Sequence, residues 1–406
     1  MAFLIVGNAM SNVSSRSRAL PSSIYWLSLC SFAFGLCEFI AAGLLSPMAR
    51  ELHAGVAATG GAIAAYALGA AIGAPVLTAM LARRPTRQIL VASMLVLAAG
   101  SVAMAGAPAL GALLCVRFAV GLAHGVFMAV ASHAATSLVD PSRAGRALSI
   151  VWLGLTLALA GGVPLGTWLG AAASWRWVFA AIGVLALCGG AGLRCAMPAA
   201  RQQLAAVSTL ASLRAILQPP LLLAAGVAAL VSVATFSFFT YISPFLLQLG
   251  GLDAGWLSAA MLCFGACAIG GNLLGGWCAD RPSALRATML ALAALACNLL
   301  GFHVLRTHPF AMLALCGTLG MLFFALVTLS TMRLLLLAQR HCPGSDAVAA
   351  GLNIAAFNAG TALGGALGGA LIVAFGLPSI AIGGALAALL AMLLLCFQSR
   401  KLDALL

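Results

Sequence analysis

Charged residues make up only 7% of this 406-residue chain, with seven acids in total. A soluble domain carries about 25%, so this sequence lacks the polar surface that would keep it in water. Hydrophobic residues reach 64% and mean hydropathy is +1.14, which makes a lipid bilayer the implied solvent. Paired cysteine motifs are absent as well. The twelve cysteines stand singly in apolar runs, as at Cys30, Cys37, Cys115, Cys188 and Cys297, with no CxxC pair and no Cys/His cluster. They read as small buried apolar residues, not as disulfides or metal ligands, and no cofactor motif is present. A membrane-embedded enzyme lacks its parts, since there is no second acid within the membrane, no Ser/His/Asp arrangement and no phosphate-binding glycine loop followed by Lys. A sensor lacks a soluble domain long enough to signal.

What is present is a series of apolar runs recurring roughly every 33 residues, room for about twelve helical spans of some 20 residues. The runs are continuous and rich in Ala, Leu and Gly. Barrel strands would alternate in polarity over segments of about 10 residues, so an all-α membrane protein is expected. Breakers place helices near 24–48, 56–81, 89–107, 109–138, 147–170 and 177–195. A second set falls near 220–247, 255–278, 287–305, 309–336, 347–373 and 380–397. Residues 1–21 read as a Ser-rich, mildly basic tail. The run that follows exceeds the signal-peptide core of about 7–15 residues and is expected to remain as the first helix. The segment 197–219, with Arg201, Gln202, Gln203, Arg214 and the pair Pro219 and Pro220, reads as a linker that includes a surface helix. It separates a bundle over 22–196 from one over 220–398, followed by a tail over 399–406.

The net charge of +13 does not point to nucleic acid, because the basic residues punctuate loops instead of gathering on one segment. If both ends are cytoplasmic, the cytoplasmic side holds fifteen cations, including Arg83, Arg84, Arg87, Arg281, Arg286 and Arg340. The outer side holds Arg50, Arg176 and Arg306. That bias fits the positive-inside rule with both termini in the cytoplasm. Almost all the cations are arginine, which fits a GC-rich bacterial genome, and the expected location is the bacterial inner membrane.

The two halves also match in register. Ile72 and Gly73 precede Ile269 and Gly270 by the same distance at which Arg84 and Pro85 precede Arg281 and Pro282. Parallel repeats of this kind build secondary transporters, in which two bundles enclose one cavity and open it to alternate sides.

Glu38 is the one acid expected deep in the membrane, where a carboxyl normally faces a polar cavity or a proton path. Carboxyl groups out of water lose the hydration that favours their charged form, which brings their titration toward physiological pH. The alternative is a protonated Glu that ties the first helix to a neighbour. Phe34, one turn away, helps form a face where a flat apolar molecule can approach the acid. Arg117 lies about two turns into the fourth helix, and His124, seven positions on, returns to nearly the same face. Gly121 and Gly125 let another helix approach closely and press both side chains inward. Glu38 is a candidate electrostatic partner for Arg117, and snorkelling of Arg117 is the alternative. For His124 the alternative to a titrating role is a neutral packed ring. His133 projects from the opposite face and reads as packing. Tyr241, Asn353 and Asn358 are candidate polar groups of the cavity. Gly162, Pro164 and Gly166, in GLTLALAGGVPLGTWLG, predict a kinked, close-packed fifth helix that seals one end of the cavity.

Together, GLCEFIAAGLLSPMA, YALGAAIGAPVLTAMLARRPTR, RFAVGLAHG and GGVPLGTWLG followed by Trp175 and Arg176 resemble the major facilitator superfamily. More closely they resemble its drug/proton antiporter branch, related to bacterial arabinose, purine-nucleoside and multidrug efflux permeases. The resemblance implies twelve helices in two pseudo-symmetric six-helix bundles. It also implies a cytoplasmic gate between the loop with Arg83, Arg84 and Arg87 and the mirrored loop with Asp280, Arg281 and Arg286. The first half departs from the pattern, with Ala82 where many members have Asp and Pro85 where they have Gly. The fifth-helix Gly/Pro run looks like the motif of exporters. The expectation is therefore a proton-coupled antiporter that exports a small organic solute or drug and works as a monomer. A proton-coupled or facilitated importer is the alternative. Its partners are the solute, protons and the bilayer.

Overall fold

The computed structural model describes residues 20–81, 83–140, 143–198, 218–279, 281, 283–341 and 346–403. Among the described residues, twelve helices are long and apolar enough to cross a membrane. They are α1 (Ser22–Gly43), α2 (Val56–Leu81), α3 (Thr86–Ala105), α4 (Leu110–Ser137), α5 (Arg146–Ala172) and α6 (Trp175–Ala196). The second set is α7 (Pro219–Phe239), α8 (Ala254–Ala279), α9 (Ala284–Val304), α10 (Pro309–Arg340), α11 (Gly351–Phe375) and α12 (Ser379–Ser399). The N-terminal tail, nearly all of the expected linker and Asp280 lie outside the described residues. Large apolar side chains such as Leu273, Leu290 and Val373 are exposed around the circumference, as a surface bathed in acyl chains requires.

Two helices end earlier than their apolar runs. The sequence predicts single helices over 24–48 and 220–247, but each stops and restarts as a short helix, Leu45–Glu51 and Ile242–Gln248. Pro47 and Pro244 explain both breaks. A proline ring clashes with the carbonyl four residues back, here on Gly43 and Thr240, and supplies no N–H to continue the ladder. Two other prolines leave π turns inside spanning helices. Pro75 lies in the π turn Gly73–Leu77 of α2, and Pro164 follows the π turn Ala158–Gly162 of α5.

Glycine sets the closest contacts within each half. A Cβ on Gly121 would run into the Tyr66 carbonyl, and one on Gly125 into that of Ala70, so the backbones of α2 and α4 touch. The same device joins α8 to α10, where Gly271 faces the Met321 carbonyl and Gly320 that of Phe264. The halves meet along α2 with α11 and α5 with α8.

The chain alternates direction, so its connections gather at two ends. At one end Arg176 donates to the Ala105 and Ala107 carbonyls at 2.8 and 2.9 Å and pairs with Glu51. This end is closed across the bundles. Tyr241 Oη donates toward the carbonyls of Ala57 at 3.2 Å and Gly365 at 2.8 Å, and Ser243 donates to Ser46 at 3.1 Å. At the opposite end Gln398 of α12 donates to the Pro220 carbonyl at the start of α7, at 2.9 Å.

Candidate functional site

Glu38 projects from the last third of α1, five residues before the helix ends at Gly43, into a narrow cavity between the two bundles. The cavity is lined by Phe39 and Ala42 of α1, Ile63, Tyr66 and Ala67 of α2, Phe236 and Phe239 of α7, and Thr361 of α11. Its free volume is ≈ 10 Å³, room for about one water and far below the roughly 300 Å³ at which drug-sized sites begin, so the cavity is collapsed around the acid in this state. The walls are apolar and aromatic apart from Thr361 and the Tyr66 hydroxyl, and the Glu38 carboxyl is their one carboxylic acid. Its side chain keeps 14% of its surface exposed, and its Oε2 lies 3.8 Å from Nδ1 of His124. That separation is an ion-pair distance and exceeds a hydrogen bond.

His124 is buried, with its ring stacked on Phe34 at 5.0 Å and 8° and tilted against Tyr66 at 5.6 Å. Neither ring nitrogen has a hydrogen-bond partner among the described residues. A buried polar atom of this kind costs free energy, so the imidazole sits beside the acid with unused capacity to bond it.

Arg117 is fully buried and takes different partners from the one the sequence offered. Its Nε donates to the Ala62 carbonyl at 2.8 Å, Nη1 to the Cys37 carbonyl at 2.7 Å and Nη2 to the main-chain oxygen of Glu38 at 3.3 Å. Its guanidinium lies 4.5 Å over the Tyr66 ring. The planar fork suits three converging carbonyls, so Arg117 ties α4 to α1 and α2 through the backbone and leaves the Glu38 carboxyl to the cavity. Helix ends explain the supply of acceptors poorly, since Ala62, Cys37 and Glu38 all precede the last four carbonyls of their helices. The guanidinium instead shares carbonyls already used along the ladder, and the glycine-lined approach of α2 to α4 brings it within reach.

Several predicted cavity residues lie elsewhere. Phe34 is wholly buried inside the first bundle between His124 and Phe127. Tyr241 is buried in the closed end, where it joins α2 to α11. Asn353 donates to Thr331 at 2.7 Å and Asn358 to its own helix at the Ile354 carbonyl, 2.9 Å away, and neither lines the cavity. Gly162 and Gly166 face Phe32, Leu36 and Ile40 of α1. The kink before Pro164 therefore packs α5 on α1, while the closed end is formed by other residues. At the loops, Arg83, Arg84, Arg281 and Arg286 are exposed and Arg87 is half-buried. Arg281 stacks on Trp277 at 3.4 Å.

Sequence reasoning missed Tyr66, which touches every part of the site. Its hydroxyl donates to the Phe34 carbonyl at 3.3 Å, its ring carries Arg117, and its edge lines the cavity. The signal was present. A phenol in an apolar span needs a partner for its hydroxyl, and the chain has only three tyrosines.

A twelve-helix membrane protein with a lone carboxyl between two bundles belongs to the class of solute carriers. Residues 27–345 match the family model described as Major Facilitator Superfamily, and the chain belongs to that family. It is 34% identical over 389 residues to the inner membrane transport protein YdhP of Escherichia coli (strain K12), covering 92% of this chain and 95% of that one. It is 35% identical over 354 residues to a chloramphenicol resistance protein of Streptomyces lividans, covering 85% and 88%. The fold matches the crystal structure of a bacterial homolog of the human lysosomal transporter Spinster, in an inward-facing and occupied conformation. The TM-score is 0.71 at 16% identity, covering 93% of this chain and 96% of that one. The chain is thus a secondary transporter, not an enzyme, and moves a small solute across a membrane by alternating access.

Proposed function

We propose that this transporter is a proton-coupled antiporter of the drug/proton branch, exporting a small organic solute across a bacterial inner membrane with both termini in the cytoplasm. The observation that carries the proposal is the Glu38 carboxyl, the only acid within the twelve spans, standing in an inter-bundle cavity 3.8 Å from an unbonded imidazole. A proton arriving there neutralises the acid, weakens its hold on a cation or dipole in the cavity, and favours the state open to the opposite side. Return of the carrier releases the proton inside. The relatives support export, one being named for chloramphenicol resistance and another a probable sugar efflux transporter. The aromatic lining of Phe39, Tyr66, Phe236 and Phe239 favours a largely apolar solute, because a sugar needs more hydrogen-bonding partners than these walls provide.

The orientation follows from the arginines. With the arginine-rich loops in the cytoplasm, the end closed by Tyr241 and Ser243 faces outward. The test is solute flux in proteoliposomes under an imposed pH gradient. Glu38→Gln, fixed in the neutral form, is expected to hold a cationic or dipolar solute more weakly and to lose gradient-driven flux, whereas coupled flux equal to that of the parent protein removes Glu38 from the mechanism. A host stripped of its own pumps, screened against drugs and metabolites, identifies the solute. Loss of accumulation that an uncoupler reverses separates export from import.

A further inference from the structure

Tyr241 stands at the break between α7 and the short helix Ile242–Gln248, and its buried ring reaches out of the second bundle to touch the first. Glycines make the room. A Cβ on Gly60 of α2 would run into Oη and the Cε1 edge of the ring, while one on Gly368 of α11 would lie 2.7 Å from the opposite edge at Cε2. A Cβ on Gly369 would come within 2.7 Å of Oη and 3.4 Å of the Ala57 carbonyl. The ring is thus clamped edge to edge between the two bundles, and it cannot swing away from α2 without meeting α11.

The hydroxyl decides which bundle keeps the ring. A phenol has one proton to donate, and two carbonyls share it, Gly365 at 2.8 Å within its own bundle and Ala57 at 3.2 Å across the interface. The longer bond is the one that parting bundles break. With Gly365 still accepting, withdrawal of α2 leaves no buried donor unpaired, so opening takes little from hydrogen bonding. What holds this end shut is the fit of the ring into the notch at Gly60, a packing contact made only when the two bundles are fully together.

We propose that Tyr241 and Gly60 form a ball-and-socket latch that sets the balance between the closed and open states of this end. The ring travels with the second bundle, and Gly60 is the lip of the socket that receives it. The latch serves alternating access itself and needs neither proton coupling nor a particular solute.

The test uses Ser46→Cys in the detergent-purified full chain. Ser46 is buried and faces Ser243 across the interface, so a thiol there reacts with a water-soluble maleimide only when this end is open, and the labelled peptide is followed by mass spectrometry. In that background Gly60→Ala is expected to speed labelling about fivefold or more, as overpacking shifts the balance, and Tyr241→Ala, which removes the ball, should speed it as well. Gly60→Ala added to Tyr241→Ala should bring no further increase, because the new methyl group then has nothing to strike. That arm also covers the case in which Gly60→Ala alone disturbs folding. Tyr241→Phe keeps the shape and should stay within about twofold of the background rate. Gly61→Ala, whose Cβ meets only Leu114 at 3.6 Å, should leave the rate unchanged. A rate unmoved by Gly60→Ala overturns the latch, as does an equal rise from Gly61→Ala or a Gly60→Ala effect that survives removal of the ring. A rise in Tyr241→Phe equal to that in Tyr241→Ala overturns it too, by assigning closure to the hydroxyl instead of the shape.

Discussion

Ser243 donates a hydrogen bond to Ser46 at 3.1 Å, and the two residues are 197 positions apart. That is the register relating Ile72 to Ile269 and Arg84 to Arg281. Phe39 and Phe236, separated by the same distance, stack at 6.4 Å, and the short helices Leu45–Glu51 and Ile242–Gln248 also share it. Equivalent residues of two repeats meet only on the axis that relates them. These two pairs therefore mark the pseudo-twofold axis as it runs from the Glu38 cavity, lined by Phe39 and Phe236, to the closed end at Ser46 and Ser243.

If alternating access opens that end, the serine pair must part. Ser46→Cys combined with Ser243→Cys places two thiols where a disulfide can form. Oxidation is expected to abolish transport and reduction to restore it, with the linked peptides identified by mass spectrometry. Full activity of the crosslinked protein would show that this end never opens there.

Glycines in repeat register have diverged. A Cβ on Gly73 would strike the Leu122 carbonyl, whereas one on Gly270 meets nothing within 4 Å. Gly73→Ala is expected to cost about 1–3 kcal/mol by forcing α2 from α4. Gly270→Ala should stay within about 0.5 kcal/mol of the parent. Unfolding midpoints in detergent decide the matter, and equal effects would mean that the close approach of α2 to α4 relaxes easily.

Arg117 organises three helices through carbonyl oxygens. Arg117→Met is expected to lower stability by about 3 kcal/mol, since hydrogen bonds to a charged group contribute about 1.5–3 kcal/mol each and partly compensate one another. Arg117→Lys should recover only part, because an ammonium cannot reproduce the fork. A midpoint unchanged by either substitution would separate Arg117 from the fold.

His124→Phe keeps the stack on Phe34 and removes the nitrogen facing Glu38. The protein should fold with stability within about 1.5 kcal/mol, as volume-conserving swaps do. Flux driven by a pH gradient should fall by about tenfold or more while solute binding persists. Unaltered flux would leave the imidazole as packing.

Much of the fold was legible in the sequence because a bilayer imposes one rule, that backbone groups bond within their own segment. Apolar runs alone therefore gave twelve helices. The breaks after Gly43 and Phe239 were not, since Pro47 and Pro244 lie inside runs whose hydropathy never falters. At the site, the cost of an ionisable group in the membrane drew attention to Glu38, Arg117 and His124. Which carbonyls Arg117 takes depends on the approach of α2, a tertiary fact. Phe34 and Tyr241 were placed in the cavity by nearness along the chain or by polarity alone. Their burial among other rings and helices corrects that.

The repeat that sets Phe39 against Phe236 assigns Glu38 a counterpart, and it is Thr235, whose hydroxyl bonds back to the Val231 carbonyl of its own helix. The scaffold is twofold, but the acid occurs on one side only. One carboxyl carries at most one proton, so the proposed exchange has a stoichiometry of one at this position. Trading that proton for a neutral solute moves one net charge per cycle and responds to voltage by about 2.3 kcal/mol per 100 mV. Trading it for a monovalent cation moves no net charge, and the membrane potential then has no hold on the carrier.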